Sequence, residues 1–330
     1  MSWIELEPLL CQVGIIALLA ISLNVLCGMT GLLQLGHAGF YAMGAYGAGL
    51  YSIYFTIPAL GWFNLVPATM CGMLAASVCA VIIGIPCLRL RGDYLAIATL
   101  GFGEIVRLLL TNIEFSGGKM FEGDLIGGPT GISFTEFPEE LWGDAYVDYA
   151  ADHASLGVIW VAVIVVYILL RNIKHSAIGR AFMSIREDQI AARAMGINVP
   201  RYKMTAFVIS SAFAGMAGSL FFHHHLRASP GDFSLLHSIS ILLIVVLGGM
   251  GSLSGSIIAA IILGLTPHML RHVDFTNVQW LPDVMQRSMG EFTAILYALL
   301  LIILIRLMPE GIMRMNEMPA WMRRWRKYPK

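Results

Sequence analysis

The chain has 330 residues, of which 57% are hydrophobic and only 13% are Asp, Glu, Lys or Arg. A soluble domain carries about twice that charged share, so this chain has too few charges to cover a water-facing surface of its size. Lys and Arg together balance Asp and Glu at 21 each, and this neutral total gives no support for nucleic-acid binding. The composition excludes a set of soluble domains and predicts a polytopic membrane protein.

The apolar runs predict an all-α bundle of about nine transmembrane helices, within a range of eight to ten, because each span takes about 20 residues. In chain order the predicted spans are 8–28, 31–55, 62–88, 92–113, 154–172, 203–225, 235–250, 253–272 and 288–307. Together they form one transmembrane domain over 1–330. The N-terminus has two glutamates and no basic residue, so a cleaved signal peptide is not expected and the first segment is retained as a span.

Charge sorting predicts the orientation of the bundle through the positive-inside rule. Segment 171–203 carries seven basic residues, the last 25 residues carry another seven, and a third basic loop lies at 89–91. Loop 114–152 instead carries nine acids and a single lysine. Counting spans between these loops gives an external acidic loop at 114–152, a cytoplasmic loop at 173–203 and a basic cytoplasmic tail at 308–330. The N-terminus is then expected outside and the C-terminus in the cytoplasm.

The second apolar stretch, 31–55, predicts a broken helix because it contains six glycines together with Gln34 and His37. Glycine weakens a helix by about 1 kcal/mol relative to alanine, and the break is expected near Gly36–Gly39. Broken helices within a membrane often line substrate sites, whereas glycines also permit close helix packing, and the two interpretations are compatible.

Two charged residues lie within the predicted span 92–113. Glu104 and Arg107 are three residues apart and therefore share a helix face, either as a local ion pair or as part of a pathway. The full set of candidate translocation-path residues comprises Asn24, Gln34, Gly36, His37, Gly39, Glu104 and Arg107.

Catalytic and metal-binding patterns do not emerge from the sequence. It contains no P-loop, GxSxG or HExxH pattern, so an enzyme is not predicted and any use of ATP must come from a partner. The five cysteines lie in apolar stretches and include no CxxC pair. The run His223–His225 points in three directions around a helix, which is unsuitable for chelating one ion, so no metal site is predicted.

The long basic loop contains a short amphipathic helix followed by a turn, a unit that requires a docking partner. Its apolar side is predicted from Ile185, Ile190, Ala194 and Ile197. Gly196 is expected to end the helix and Pro200 to prevent its continuation.

Five blocks of this sequence resemble the inner-membrane permease of bacterial branched-chain amino-acid ABC transporters, and its M-type subunit more than its H-type. They are LNVLCGMTGLLQLGHAGFYAMGAY (23–46), RLRGDYLAIATLGFGEIVRLLLTN (89–112), GGPTGI (127–132), GRAFMSIREDQIAARAMGIN (179–198) and VVLGGMGSLSG (245–255). The resemblance implies a type I-like ABC importer permease. Its implied partners are two P-loop ATPases that bind ATP and Mg, a second, H-type permease and a periplasmic substrate-binding protein, all at the bacterial inner membrane.

The family's coupling motif reads Glu-Ala-Ala, three residues, then Gly, and here Ala191, Ala192 and Gly196 match it. Ile190 replaces the glutamate, with acids nearby at 187 and 188. The residues implied to dock the ATPase are Arg186, Glu187, Asp188, Ala191, Ala192, Gly196 and Pro200. Leucine, isoleucine and valine are the implied substrates. Urea, short amides or another amino acid are the alternatives, while a passive channel and an intramembrane enzyme are more distant ones.

Overall fold

The structure, a computed structural model, describes residues 3–55, 63–90, 92–116, 125–133, 154–271 and 311–313, with the isolated positions 302 and 306. Ten α-helices lie in this part of the chain: α1 Trp3–Asn24, α2 His37–Tyr54, α3 Leu65–Cys87, α4 Asp93–Asn112, α5 Ala154–His175, α6 Ala177–Glu187, α7 Gln189–Ala194, α8 Val199–His225, α9 Leu235–Gly248 and α10 Leu253–Arg271. The π-helical turn Val25–Met29 extends α1.

Three of these helices form the centre of the bundle. Helix α1 with its π turn and helix α8 are 83% and 67% buried over their most apolar windows, whereas α3, α4 and α5 are each 28% buried. Helix α2 packs against both α8 and α3, and most of its residues are buried. The peripheral helices α3 and α5 present aliphatic side chains outward, as expected of helices that face lipid.

Glycines allow the central helices to approach closely. A Cβ added to Gly72 of α3 would lie 2.7 Å from the carbonyl oxygen of Gly44 in α2, and one added to Gly215 of α8 would lie 2.6 Å from the carbonyl oxygen of Gly72. The backbones of α2, α3 and α8 therefore approach one another at three glycines. Such close backbone contacts hold helices together in lipid.

Short strands lie at the end of the bundle where α8 ends. Strands β1 Glu114–Ser116 and β2 Leu125–Gly127 form an antiparallel pair. Strand β3 Ile132–Ser133 pairs with β4 Arg227–Ala228, which follows α8. The described part of the predicted acidic loop is thus joined to the end of α8 by backbone hydrogen bonds, an arrangement that charge counting did not reveal.

The prediction of an all-α membrane bundle is confirmed. Within the described residues, five helices are long and apolar enough to cross a membrane, and two shorter apolar helices lie at Leu235–Gly248 and Leu253–Thr266. The predicted spans agree with the observed helices to within a few residues, except that the helix predicted over 31–55 begins at His37. The ninth predicted span, 288–307, and the tail 308–330 lie outside the described residues apart from positions 302, 306 and 311–313.

Candidate translocation path and coupling site

The predicted break in the second apolar stretch is present, between the π turn and α2. Residues 31–36 are not helical, and helix α2 begins at His37 with Gly36 as its N-cap. Gly31 has a φ of +70°, a backbone conformation that favours glycine. The connection is tied at both ends, because the Leu32 amide donates to the Leu26 carbonyl at 3.3 Å and the Leu35 amide donates to Thr99 Oγ1 at 3.1 Å.

Gln34 and His37 place unpartnered polar atoms in the interior beside this break. Gln34 is 1% exposed, and neither atom of its amide finds a hydrogen-bond partner within the described part of the chain. The Nε2 of His37 lies 2.9 Å from Ser22 Oγ, whose hydroxyl already donates to the Leu19 carbonyl. His37 Nε2–H is therefore the donor to Ser22, and His37 Nδ1 is left as an acceptor without a partner among the described residues.

Gly36 and Gly39 pack against α4. A Cβ on Gly36 would lie 2.7 Å from the Thr99 carbonyl carbon, and one on Gly39 would lie 3.1 Å from the Cα of Gly103. Phe40 and Phe102 extend this contact, with ring centroids 5.2 Å apart. Close packing thus accounts for these two glycines, and any role in a pathway would add to it.

Asn24 connects the end of α1 to the turn between α9 and α10. Its Oδ1 accepts from the Gly251 amide at 2.7 Å, while its Nδ2 donates to the Ser252 carbonyl at 2.8 Å and to Ser256 Oγ at 2.6 Å. Lys174 donates to the Gly251 carbonyl at 2.9 Å. Because both ends of the Asn24 amide are engaged, this residue acts as a clamp in the observed conformation.

Glu104 and Arg107 form an ion pair within α4. Arg107 Nε donates to Glu104 Oε1 at 2.8 Å, and Arg107 Nη2 contacts the same oxygen. Their side chains are 39% and 31% exposed, respectively, on the outer side of the helix. The local ion pair, one of the two interpretations of their spacing, is therefore present.

The predicted coupling segment, residues 177–200, consists of two short helices, α6 and α7, rather than one. Asp188 separates them because its side chain accepts hydrogen bonds from the amides of Ile190, at 2.7 Å, and Ala191, at 3.1 Å, which makes it the N-cap of α7. Gly196 ends α7 with a φ of +84°. Asn198 then caps α8, and Pro200 lies in the first turn of that helix, where its missing amide hydrogen costs nothing.

A small apolar cluster holds this segment against the bundle. Ile185, Ala192 and Val199 are buried together, with Ile197 and Tyr202 packed on them. The predicted apolar side is wrong for Ile190, which is 82% exposed, and for Ala194, which is also exposed. The reason is the Asp188 cap, since restarting the helix changes the direction of every residue that follows.

The outer surface of the coupling segment combines charge with exposed apolar side chains. Met195 is 83% exposed, similar to Ile190, and both are set apart from the cluster beneath them. A cleft of about 420 Å³ lies between α6 and α7, lined by Ile185, Arg186, Glu187, Asp188, Gln189, Ile190 and Arg193. The exposed apolar side chains beside this charged cleft agree with the docking role predicted for the segment, which no contact here tests.

Arg186 points from the coupling segment towards the break. Its Nη1 donates to the carbonyl of Gly28 in the π turn, and a Cβ on Gly31 would lie 3.1 Å from Arg186 Cγ. The structure places its guanidinium on the π turn that extends the first helix of this same chain. The coupling segment and the break therefore share a direct contact.

Sequence reasoning missed the polar residues that support the site, namely Ser22, Thr99, Lys174 and Ser238. Ser238 Oγ accepts from the Ala38 amide at 2.9 Å, in the first turn of α2. Each of these residues is far along the chain from its partner, so no local pattern could reveal the pairing. In the histidine run, His223 Nδ1 donates to the Ser219 carbonyl at 2.6 Å, and no group of metal-binding side chains occurs among the described residues.

Comparison with known proteins decides the family. The profile of the branched-chain amino acid transport system permease component matches residues 6–305. The chain belongs to this family. The high-affinity branched-chain amino acid transport system permease protein LivM of Escherichia coli K12 is 38% identical over 311 residues, which cover 91% of this chain and 68% of the relative. LivH of the same organism is 25% identical over 309 residues, covering 91% and 92%.

A more distant relative is the probable LivM of Methanocaldococcus jannaschii, 24% identical over 279 residues and 76% of each chain. No solved structure matches the permease significantly. The family and the apolar helices make this chain a multi-pass membrane protein, and the expectation of a transport permease rather than an enzyme is confirmed. As a permease component it is one subunit of a larger transport system.

Proposed function

We propose that this permease forms half of the path by which an ATP-driven importer moves leucine, isoleucine and valine across the inner membrane. Its partners are a second, H-type permease, two P-loop ATPases and an external binding protein. The relatives that carry the LivM name support the substrate class, since they are named as branched-chain amino acid permeases. The observation that carries the mechanism is the contact of Arg186 with Gly28.

The orientation of the bundle is supported because the basic loop and the start of the basic tail lie at the same end. Gly28, Arg186 and Gly251 lie there, and Ile312 and Met313 join them by donating to the Leu247 and Gly248 carbonyls at 2.8 and 3.1 Å. The basic loop and the start of the basic tail therefore share an end, which is the cytoplasmic one by the positive-inside rule. The N-terminus is then external.

Nucleotide-driven movement reaches the path in three steps. The ATPase binds the exposed face around Ile190 and moves α7. The buried cluster of Ile185, Ala192 and Val199 transmits that movement to α6. Arg186 then pulls on the π turn, a helix geometry that is rare and often found at functional sites. The permease converts this pull into a shift between two packings, which opens the path to alternate sides.

The break supplies the polar groups that a zwitterion needs. Among the described residues, the NH2 group and the carbonyl oxygen of the Gln34 amide have no hydrogen-bond partner, and His37 Nδ1 offers another acceptor. A carboxylate requires donors and an ammonium requires acceptors, and both would meet them in an otherwise apolar interior that suits aliphatic side chains. In this proposal Gln34 and His37 contact the substrate when the break opens.

Uptake by the purified complex in liposomes tests the proposal. With ATP inside and the binding protein outside, leucine, isoleucine and valine are expected to accumulate, whereas urea and short amides are not. Arg186→Met is expected to leave ATP hydrolysis intact while abolishing its coupling to uptake, and Arg186→Lys to preserve part of the coupling. Accumulation of urea in preference to leucine would overturn the substrate, and coupled uptake by Arg186→Met would overturn the route.

A further inference from the structure

Helix α2 does not supply its own N-terminal cap. The first amides of a helix have no partner within that helix and are often bonded by the side chain of the N-cap residue. Here the N-cap is Gly36, which has no side chain, and a Cβ at that position would collide with the Thr99 backbone. The Ala38 amide donates instead to Ser238 Oγ at 2.9 Å, and Ser238 belongs to α9. The start of α2, directly after His37, therefore depends on a side chain from another helix.

The opposite end of α9 lies against the residue that the coupling segment contacts. Gly28 accepts from Arg186 through its carbonyl, and a Cβ added to Gly28 would lie 2.8 Å from the Cα of Gly251, in the turn after α9. Asn24 holds that turn through the Gly251 amide and the Ser252 carbonyl. Because close-packed groups transmit strain, a displacement of the π turn by Arg186 also displaces this end of α9.

Helix α9 is suited to carry such a displacement along its axis. It contains no proline, and its only glycine is its last residue. Ser238 lies ten residues before Gly248, a distance of about 15 Å at 1.5 Å per residue. Within the described part of the chain, the hydrogen bonds of α9 to other elements lie at its two ends, and none involves residues 239–246. Apolar contacts have no preferred direction, so the middle of the helix is free to slide while its ends stay bonded.

We propose that α9 links the coupling segment to the break, and that Ser238 is the positioning residue at the end of this link. The proposal rests on the importer mechanism proposed above, in which Arg186 pulls on the π turn. In the observed packing, Ser238 caps α2, and Gln34 and His37 are buried. When α9 is displaced, Ser238 withdraws from the Ala38 amide. The first turn of α2 then loses its cap and the break opens.

Ser238→Ala is the most direct test, and Ser219→Ala is its matched control. Both serines are buried and join two helices through one hydroxyl contact, which for Ser219 is with Thr69 Oγ1 at 3.3 Å. In the liposome assay, Ser238→Ala is expected to lower leucine uptake per ATP about fivefold, because the break then opens without the ATPase and a cap shifts an equilibrium by about that factor.

The membrane content and the ATP hydrolysis of Ser238→Ala should stay at the wild-type level. Ser238→Thr keeps the hydroxyl and should restore most of the uptake, while Ser219→Ala should change none of these quantities. Equal uptake per ATP in Ser238→Ala and Ser219→Ala would overturn the role of Ser238 and leave the import proposal intact.

A double-mutant cycle tests whether Arg186 and Ser238 act on one route. Arg186→Lys is expected to lower uptake per ATP in part. The double variant Arg186→Lys/Ser238→Ala should resemble Ser238→Ala alone, because the second change already interrupts the route. Independent effects would instead multiply. Multiplied losses would overturn the link through α9.

Hydrogen exchange measured by mass spectrometry reads the cap itself. In the wild-type complex, amides 37–40 are expected to be protected at rest and to exchange about fivefold faster with a non-hydrolysable ATP analogue, as the cap is withdrawn. Ser238→Ala should exchange faster already at rest, and Arg186→Met should lose the response to the analogue. Slow exchange in Ser238→Ala, or no response in the wild type, would overturn the link. A wild-type complex that imports no leucine would overturn the import proposal, and the link with it.

Discussion

The break at 31–36 and the turn at 195–198 interrupt helices in opposite ways. The break exposes Gly31 and Leu33 but buries Gln34, whose amide has no partners among the described residues. The turn lies at the surface, where Gly196 ends one helix and Asn198 caps the next, and it exposes the apolar side chain of Met195. A polar group without a partner inside indicates a site that changes on opening, and an apolar group without cover outside indicates a site for another protein.

Alanine substitution of the glycines at these two interruptions, Gly36 and Gly196, is expected to give the largest difference in protein stability. Gly36 has a φ of −95° that any residue adopts, but its Cβ would collide with the Thr99 backbone. Gly196 has open space but a φ of +84°. Gly36→Ala is expected to lose most folded protein, because two helix backbones cannot separate cheaply. Gly196→Ala should cost about 1 kcal/mol in the free energy of unfolding, from left-handed strain alone.

Membrane content and thermal unfolding in detergent measure this difference. Gly196→Pro is expected to be far worse than Gly196→Ala, since proline is fixed at a φ of about −65°. If Gly36→Ala were as stable as wild type, the close contact with α4 would be wrong.

Ile190 gives the next largest effect, this time on coupling rather than folding. Ile190→Asp is expected to reduce ATPase co-purification and leucine uptake by roughly tenfold or more, which corresponds to at least 1.4 kcal/mol at an interface. The amount of permease in the membrane should not change because the side chain is 82% exposed. Ile190→Leu is the control and should behave as wild type. Full retention of the ATPase by the aspartate variant would place docking elsewhere.

Substitution of Gln34 tests whether its buried amide, which has no partner among the described residues, stabilises the fold or serves transport. An unsatisfied buried polar group costs about 1–3 kcal/mol, so Gln34→Met, which is similar in volume, is expected to raise the melting temperature. Uptake should fall in the same variant, because the donor and acceptor are gone. His37→Ala is expected to lower uptake too, but it also breaks the bond to Ser22 and should lower stability. A less stable Gln34→Met protein would show that the amide has partners in the folded state.

The smallest effect is expected at Asp188. Asp188→Ala removes an N-cap and should cost about 1 kcal/mol of local helix stability, with a several-fold loss of uptake as α7 frays. Asp188→Asn retains a good capping side chain and should preserve uptake, although it removes the negative charge. Uptake measured for the two variants therefore separates capping from an ionic contact with the ATPase. Equal loss in both would favour the ionic contact.

The sequence by itself determined the membrane class, the break near Gly36 and the turn at Gly196. It also predicted nine spans, and eight of them coincide with helices in the described part of the chain. These features depend on local composition, because apolar length sets a span and glycine sets an interruption. The Glu104–Arg107 pair was likewise predictable, since its members are one helical turn apart.

Only the tertiary structure decided where these features point. It placed Arg186 on Gly28, made Asn24 a clamp on Gly251, and turned Ile190 outward. It also distinguished Gly103, packed against Gly36, from Gly101, where an added Cβ would meet no described atom within 4 Å. Such contacts join residues up to about 230 positions apart, and a side chain's surroundings depend on which helices pack beside it. Spacing along one helix fixes a face, and only packing decides whether that face meets the core, lipid or another protein.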